Sequence, residues 1–290
     1  MNLLIALIPA ICWGLNPTIV GKIGGKPIQQ QLGTALGATL FAVVIYIIMH
    51  PALTPSLVIG CIISGAFWSV GQLLQYKSYG VLGTGKAFAI STGFNLVLNS
   101  LFGVLVMGDW AQTNQKFIGF AALAVIICGA VLTSYSDNKE ECDLKKGAII
   151  LAIAAVGFTG YSCAPTFVGA GGIQAVFPQA IGMIGGSLIL SLFESKDIKK
   201  FDAVTFKNMI PGLVWACANI AMIYANKLNG VAIGFTLSQM AVVVSTFATL
   251  VILKEKKSKK ELLHTILGTV VVAIGGVMIG FTKYPFILIH

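Results

Sequence analysis

Ten stretches of about twenty residues run through the chain without an aspartate, glutamate or lysine, and every charged side chain lies between them. They fall at roughly 2–21, 30–49, 56–76, 87–107, 117–135, 147–168, 174–193, 209–226, 231–253 and 264–282. A bilayer-spanning helix needs about 20 mostly apolar residues. A charge at the bilayer centre costs about 3 kcal/mol or more. Ten such stretches therefore predict an all-α integral membrane protein with ten transmembrane helices. The composition agrees, with 57% hydrophobic residues, 10% charged residues and a mean hydropathy of +0.90. Soluble domains carry about 25% charged residues. The first span has no basic flank before it and no small-x-small cleavage site after it, so it reads as an uncleaved helix.

All nineteen basic residues are lysines, and the net charge is +9. The lysines occupy short loops, which makes them orientation signals and gives no footing for nucleic acid. With the amino terminus outside, every lysine except Lys116, Lys227 and Lys283 falls on the inner side, sixteen against three. The positive-inside rule then places both termini outside.

The chain also repeats itself. Shifted by 147 positions, Gly65 falls on Gly212, Trp68 on Trp215, Gly83 on Gly230, Phe88 on Phe235 and Ser91 on Ser238. Shifted by 148, the segment Pro17–Gly21 falls on Pro165–Gly169 and Gln31 on Gln179. The expected organisation is a first five-helix repeat at 1–135, a polar linker at 136–146 and a second repeat at 147–290. Five spans is an odd number, so the second repeat enters the membrane the opposite way round. Inverted repeats of this kind enclose a substrate site between them in secondary transporters. Gly33/Gly37 and Gly182/Gly186 are pairs four apart, which suits close helix packing. Pro17 and Pro165 are repeat-equivalent and are expected to kink the first and sixth helices beside the site.

No catalytic constellation is present. The spans hold no paired carboxylates and no HExxH or Asp-rich motif, so neither an enzyme nor a metal site is expected. The six cysteines show no metal-ligand spacing and read as small buried residues, and no cofactor is called for. Gly80-Val81-Leu82-Gly83-Thr84-Gly85-Lys86-Ala87 nearly matches a phosphate-binding loop. Ala87 stands where the magnesium-holding hydroxyl belongs, and the segment joins two membrane spans, so it reads as a tight inter-helix loop and not a nucleotide site.

Neutral polar residues inside the spans carry the functional signal. Trp68, Gln72 and Gln75 share one face of the third span. Trp215, Asn219 and Asn226 share one face of the eighth, and Ser91, Asn95 and Asn99 one face of the fourth. The first span adds Trp13 and Asn16 beside Pro17. The sixth adds Thr159, Tyr161 and Ser162, and the ninth Thr236, Ser238 and Gln239. Amides in hydrocarbon must be hydrogen-bonded, either to neighbouring helices as glue or around a shared polar cavity. Amides both donate and accept, which suits hydroxyl groups, and an indole face suits the C–H face of a sugar ring. The expected substrate-binding set is Trp13, Asn16, Trp68, Gln72, Gln75, Asn95, Tyr161, Trp215, Asn219, Ser238 and Gln239. An uncharged set of this kind argues against phosphates, carboxylates and strong cations.

The segments LIALIPAICWGLNPTIVGKIGG (4–25), GAFWSVGQLLQYKSYGVLGTGKAFAISTGFNLVLNSLFGVLVMGDW (65–110) and GFTLSQMAVVVSTFATLVILKEKK (234–257) resemble the glucose/ribose uptake family of the drug/metabolite transporter superfamily. The resemblance runs through all ten spans. It implies a plasma-membrane importer of glucose or a related monosaccharide, with a proton as the expected coupling ion. Proton coupling needs a titratable group on the pathway, and the end-of-helix carboxylates Asp109 and Glu194 are the candidates. Facilitated diffusion is the other possibility, and export of small metabolites or drugs on the same scaffold is the alternative function.

Overall fold

The computed structural model describes residues 3–108, 110–133, 135, 143–229, 237–255 and 257–282. These residues form α1 (Leu3–Ile23), α2 (Pro27–Met49), α3 (Pro55–Leu82), α4 (Thr84–Leu105), α5 (Thr113–Thr133), α6 (Leu144–Phe167), α7 (Ile173–Leu192), α8 (Met209–Asn229), α9 (Ala241–Ile252) and α10 (Lys259–Thr282). A single helical turn, Ala203–Lys207, precedes α8. Among the described residues there is no strand. Among the described residues, eight helices are long and apolar enough to cross a membrane, and shorter apolar helices occupy Leu7–Ile23 and Ala241–Ile252. Large apolar side chains such as Leu40, Ile47, Phe117, Val131, Ile153 and Leu192 face outward, as a lipid-bathed surface requires.

Local chemistry sets the helix starts. Pro27 and Pro55 occupy first-turn positions, where a missing N–H costs nothing. The Thr54 hydroxyl accepts from Leu57 N–H and the Asp143 carboxylate from Lys146 N–H, capping α3 and α6. Asp202 caps the turn before α8, and the Thr205 backbone N–H, first among several donors, holds its carboxyl below the usual range. Gln29 of α2 donates to the same carboxylate at 2.9 Å.

Two boundaries depart from the sequence reading. Helices α3 and α4 are joined by Gly83 alone, in a positive-φ conformation (φ 79°) that favours glycine. The helices therefore run past the apolar windows and take in Lys77 and Lys86, both of which the sequence places in loops. Lys86 is only 6% exposed, and its ammonium donates to the Tyr135 carbonyl at 3.2 Å. The cysteines also depart from expectation: Cys61 is buried, but Cys128 and Cys217 face outward. Of the expected ninth span, 231–236 lie outside the described residues, as do Asp109, Gly230, 136–142 of the linker and 283–290. Neither Asn226 nor Thr236 has a described side chain.

The principal packing pairs interleave the two halves of the chain. Helix α3 packs on α6 and α7, and α8 packs on α1 and α2. Helix α4 packs on α6 and α5, and α9 packs on α1 and α10. The pairs α2–α7, α4–α9, α5–α10, α3–α4 and α2–α3 follow. Exchanging each helix for the one five places on maps these pairs onto one another except α3–α4 and α2–α3, which have no counterpart among the described contacts. Backbones meet where glycine allows it. A Cβ at Gly65 would lie 2.0 Å from the Gln179 carbonyl oxygen of α7, and one at Gly212 would lie 2.2 Å from that of Thr34 in α2. The Ser64 hydroxyl donates to the Tyr161 carbonyl (2.7 Å), and the Asn16 amide donates to the Pro211 carbonyl (2.6 Å).

Contacts between junctions define two ends. At one, Asn208 donates to the Gly24 carbonyl, Lys86 to that of Tyr135, and Gly85 N–H to Glu255, while Gly147 packs on Leu82. This is the lysine-rich end. At the other, the Trp110 indole donates to Thr282 Oγ1 (2.8 Å) and Gln174 to the Ala52 carbonyl.

Candidate functional site

A cavity of about 720 Å³ lies between the halves. It reaches from Tyr79 and Phe88, one turn from the lysine-rich end, to Met107, Thr166 and Thr282 at the opposite end. All eleven expected substrate-binding residues line it: Trp13, Asn16, Trp68, Gln72, Gln75, Asn95, Tyr161, Trp215, Asn219, Ser238 and Gln239. Helices from both halves supply them, and helical periodicity turns each stripe to the same side of its helix.

The two repeat-related tryptophans meet at the centre. Their ring centroids are 5.3 Å apart, and Tyr161 lies 6.0 Å from Trp215. Trp68 is buried by this contact, at 1% exposure, while Trp215 is half-buried and faces the cavity. Trp215, Tyr161 and Asn219 also wall a side cavity of about 250 Å³. Pro17 lines the main cavity from the middle of α1, whereas Pro165 lines the side cavity from the last turn of α6.

The polar groups divide into braces and open partners. Asn16 is committed to the Pro211 carbonyl, and the Asn219 amide nitrogen turns back on the Trp215 carbonyl at 3.1 Å. Trp13 Nε1, Trp68 Nε1, Ser91 Oγ and Asn95 Oδ1 are buried on the cavity wall and have no hydrogen-bond partner within the protein. They comprise two donors, one hydroxyl and one acceptor. A buried polar group left unpaired costs about 1–3 kcal/mol, so these four are the wall groups whose hydrogen bonding is left incomplete. Helix α9 begins beside them, after i→i−3 bonds from Met240 to Leu237 and from Val242 to Gln239. Interrupted helices are tolerated at membrane depth where they line a cavity.

Sequence reasoning missed Tyr79, Phe88, Trp110 and Thr282 on the wall. Trp110 follows the fourth span in a loop with φ +60°, so no helical stripe includes it. The Tyr79 position, four residues past Gln75, continues the stripe of the third span and was readable.

Among the described residues, the wall includes no aspartate, glutamate, lysine or histidine. Glu194 lies elsewhere, paired with Lys77 (2.5 Å) at the lysine-rich end. Those side chains are 22% and 40% exposed, and such pairs are worth less than about 1 kcal/mol. Glu194→Gln is expected to leave protein yield and the thermal unfolding midpoint unchanged, as measured in detergent. No group of three or more His, Cys, Asp or Glu suited to a metal occurs among the described residues. The phosphate-loop look-alike has its Gly85 N–H engaged by the Glu255 carboxylate.

Known proteins resemble this chain along nearly its whole length. The family model described as "Sugar transport protein" matches residues 4–282. The chain belongs to the sugar transport protein family. "Putative sugar uptake protein lmo0169" of Listeria monocytogenes is 46% identical over 286 residues, covering 98% of this chain and 100% of that one. "Glucose uptake protein GlcU" of Bacillus subtilis is 39% identical over 288 residues, covering 98% and 99%. A solved crystal structure shares the fold, with a TM-score of 0.65 at 15% identity over 95% of this chain and 96% of the other. Family membership and the apolar helices make this a multi-pass plasma-membrane protein concerned with sugar transport.

Proposed function

We propose that the protein imports a neutral monosaccharide, glucose first among candidates, with a proton and by alternating access of two inverted five-helix repeats. The observation that carries this is the uncharged cavity, with its indole walls and four buried polar groups lacking protein partners. Trp68 and Trp215 wall the sugar, and Gln72, Asn95, Asn219 and Gln239 join Trp13 and Ser91 in binding hydroxyls. That most of the principal helix pairs have a counterpart five places on, α3–α4 and α2–α3 apart, supports the inverted repeat. The lysine-rich end is the cytoplasmic one by the positive-inside rule, so a cavity reaching the other end faces outward. Pro17 and Pro165 serve as points of bending.

A neutral sugar in a neutral cavity draws no driving force from the membrane potential, so accumulation requires a coupled ion. Asp109 directly precedes the wall residue Trp110 in the chain and is the carboxylate assigned to the proton.

Labelled glucose in proteoliposomes tests this. Counterflow is expected without a pH gradient, and accumulation only with one. Asp109→Asn is expected to abolish pH-driven accumulation and retain counterflow. Gln72→Ala at normal yield is expected to weaken uptake about tenfold, within the range for an unpaired buried partner. Absence of glucose counterflow in the unsubstituted protein would overturn the proposal, as would accumulation that ignores pH.

A further inference from the structure

The near-match to a phosphate loop at Gly80–Ala87 does hold an anion in the folded chain. Gly85 N–H, in the first turn of α4, donates to Glu255 Oε1 at 3.0 Å, from a residue 170 positions away in the other half. A carboxylate is favoured at a helix N-terminus by the exposed N–H groups and the helix dipole. Both sides of the contact are shaped for it. Gly83 has φ +79°, and Lys254, which aims Glu255, holds φ +53° without being glycine. Such a backbone persists only where its surroundings fix it.

The surrounding contact is tight. A Cβ at Gly85 would lie 2.5 Å from Thr249 Oγ1 and 3.1 Å from Glu255 Oε2, and a Cβ at Gly21 would lie 2.8 Å from Leu253 Cδ1. The ends of α1 and α9 and the start of α4 therefore converge on the Glu255 turn. Phe88, at the limit of the cavity, is only three residues beyond Gly85. Lys86 turns away to the Tyr135 carbonyl, and among the described residues the Glu255 carboxylate caps backbone without an ion pair.

We infer that Glu255 is the latch of the lysine-rich end: its carboxylate, capping α4 across the two halves, holds that end shut while the cavity faces the other side. Glu255 is a positioning residue and touches no substrate. Opening the lysine-rich end requires the start of α4 to part from the α9–α10 turn. The inference rests on the alternating-access part of the proposed function.

The test places a reporter thiol at the cavity's closed end with Ser91→Cys, and applies a membrane-impermeant maleimide to the lysine-rich face of sealed vesicles. Labelling at position 91 is read by peptide mass spectrometry, with and without Glu255→Ala or Glu255→Gln. Loss of a helix-capping acceptor shifts an equilibrium by about fivefold. Labelling is expected to accelerate by about that factor in Glu255→Ala, with Glu255→Gln intermediate. Unchanged labelling in both variants would overturn the latch. So would failure of both variants to assemble, which would make the contact a folding element. Absence of glucose binding by the unsubstituted protein would strike the sugar reading, and leaves the labelling comparison valid.

Discussion

Replacing Trp215 with alanine is expected to weaken glucose binding by about 10- to 100-fold, the loss typical of a buried aromatic anchor. Both rings of the central pair line the cavity, but Trp215 is the more exposed to it and Trp68 is almost wholly enclosed. The two substitutions should therefore fail differently. Trp68→Ala removes a core side chain from the cluster with Ala35, Ala38, Met183 and Ala216, at a cost of about 3–5 kcal/mol of stability. Trp215→Ala leaves most of that cluster in place and removes the indole proposed as the platform for the sugar ring. Trp215→Phe keeps a ring face and is expected to stay within about threefold of the parent, because stacking tolerates a change of aromatic. Equilibrium binding of labelled glucose to purified protein, alongside thermal unfolding in the same detergent, separates the two effects. Equal affinity for Trp215→Ala and the parent would remove the indole from the site.

The second large effect concerns assembly of the helices. Gly65→Ala is expected to destabilise the protein by about 3 kcal/mol, the upper range for overpacking, lowering the unfolding midpoint by about 6–12 °C. The added Cβ would sit 2.0 Å from the Gln179 carbonyl oxygen and 2.7 Å from Met183 N. Both are backbone atoms of α7, so no side chain can swing aside and α3 must move away. Gly182 faces α3 across the same interface, where an added Cβ would lie 2.0 Å from the Ile62 carbonyl oxygen, and its alanine variant should behave alike. Gly185, on the same helix, is the control. A Cβ there meets nothing within 4 Å, so Gly185→Ala should be neutral or stabilising by up to about 1 kcal/mol through helix propensity.

These predictions follow the line between what the sequence made legible and what it hid. The ten helices were readable because hydrocarbon excludes charge, and that exclusion leaves gaps wherever a lysine falls. Helix ends were less readable for the same reason. The one-residue junction at Gly83 lets α3 and α4 run on and bury Lys86, whose long stem carries its ammonium to the Tyr135 carbonyl. The cavity was readable because an amide in a membrane needs a partner, and amides spaced four apart point one way. The sequence could not sort braces from open partners. The Asn16 amide is engaged by a carbonyl 195 positions away, whereas the Asn95 Oδ1 has no protein partner. The glycine-rich loop read as a tight inter-helix connection, and only the fold could show that its Gly85 N–H meets Glu255.

The most direct test of the central claim uses Cys163, a native residue on the cavity wall. Its rate of modification by a small hydrophilic thiol reagent is measured in purified protein with and without glucose. By mass action, glucose at about ten times its dissociation constant should slow modification about tenfold, and charged glucose 6-phosphate at equal concentration should leave it unchanged. Glucose that is carried in liposomes yet leaves the Cys163 rate untouched would show that sugar travels by another route, contradicting the account.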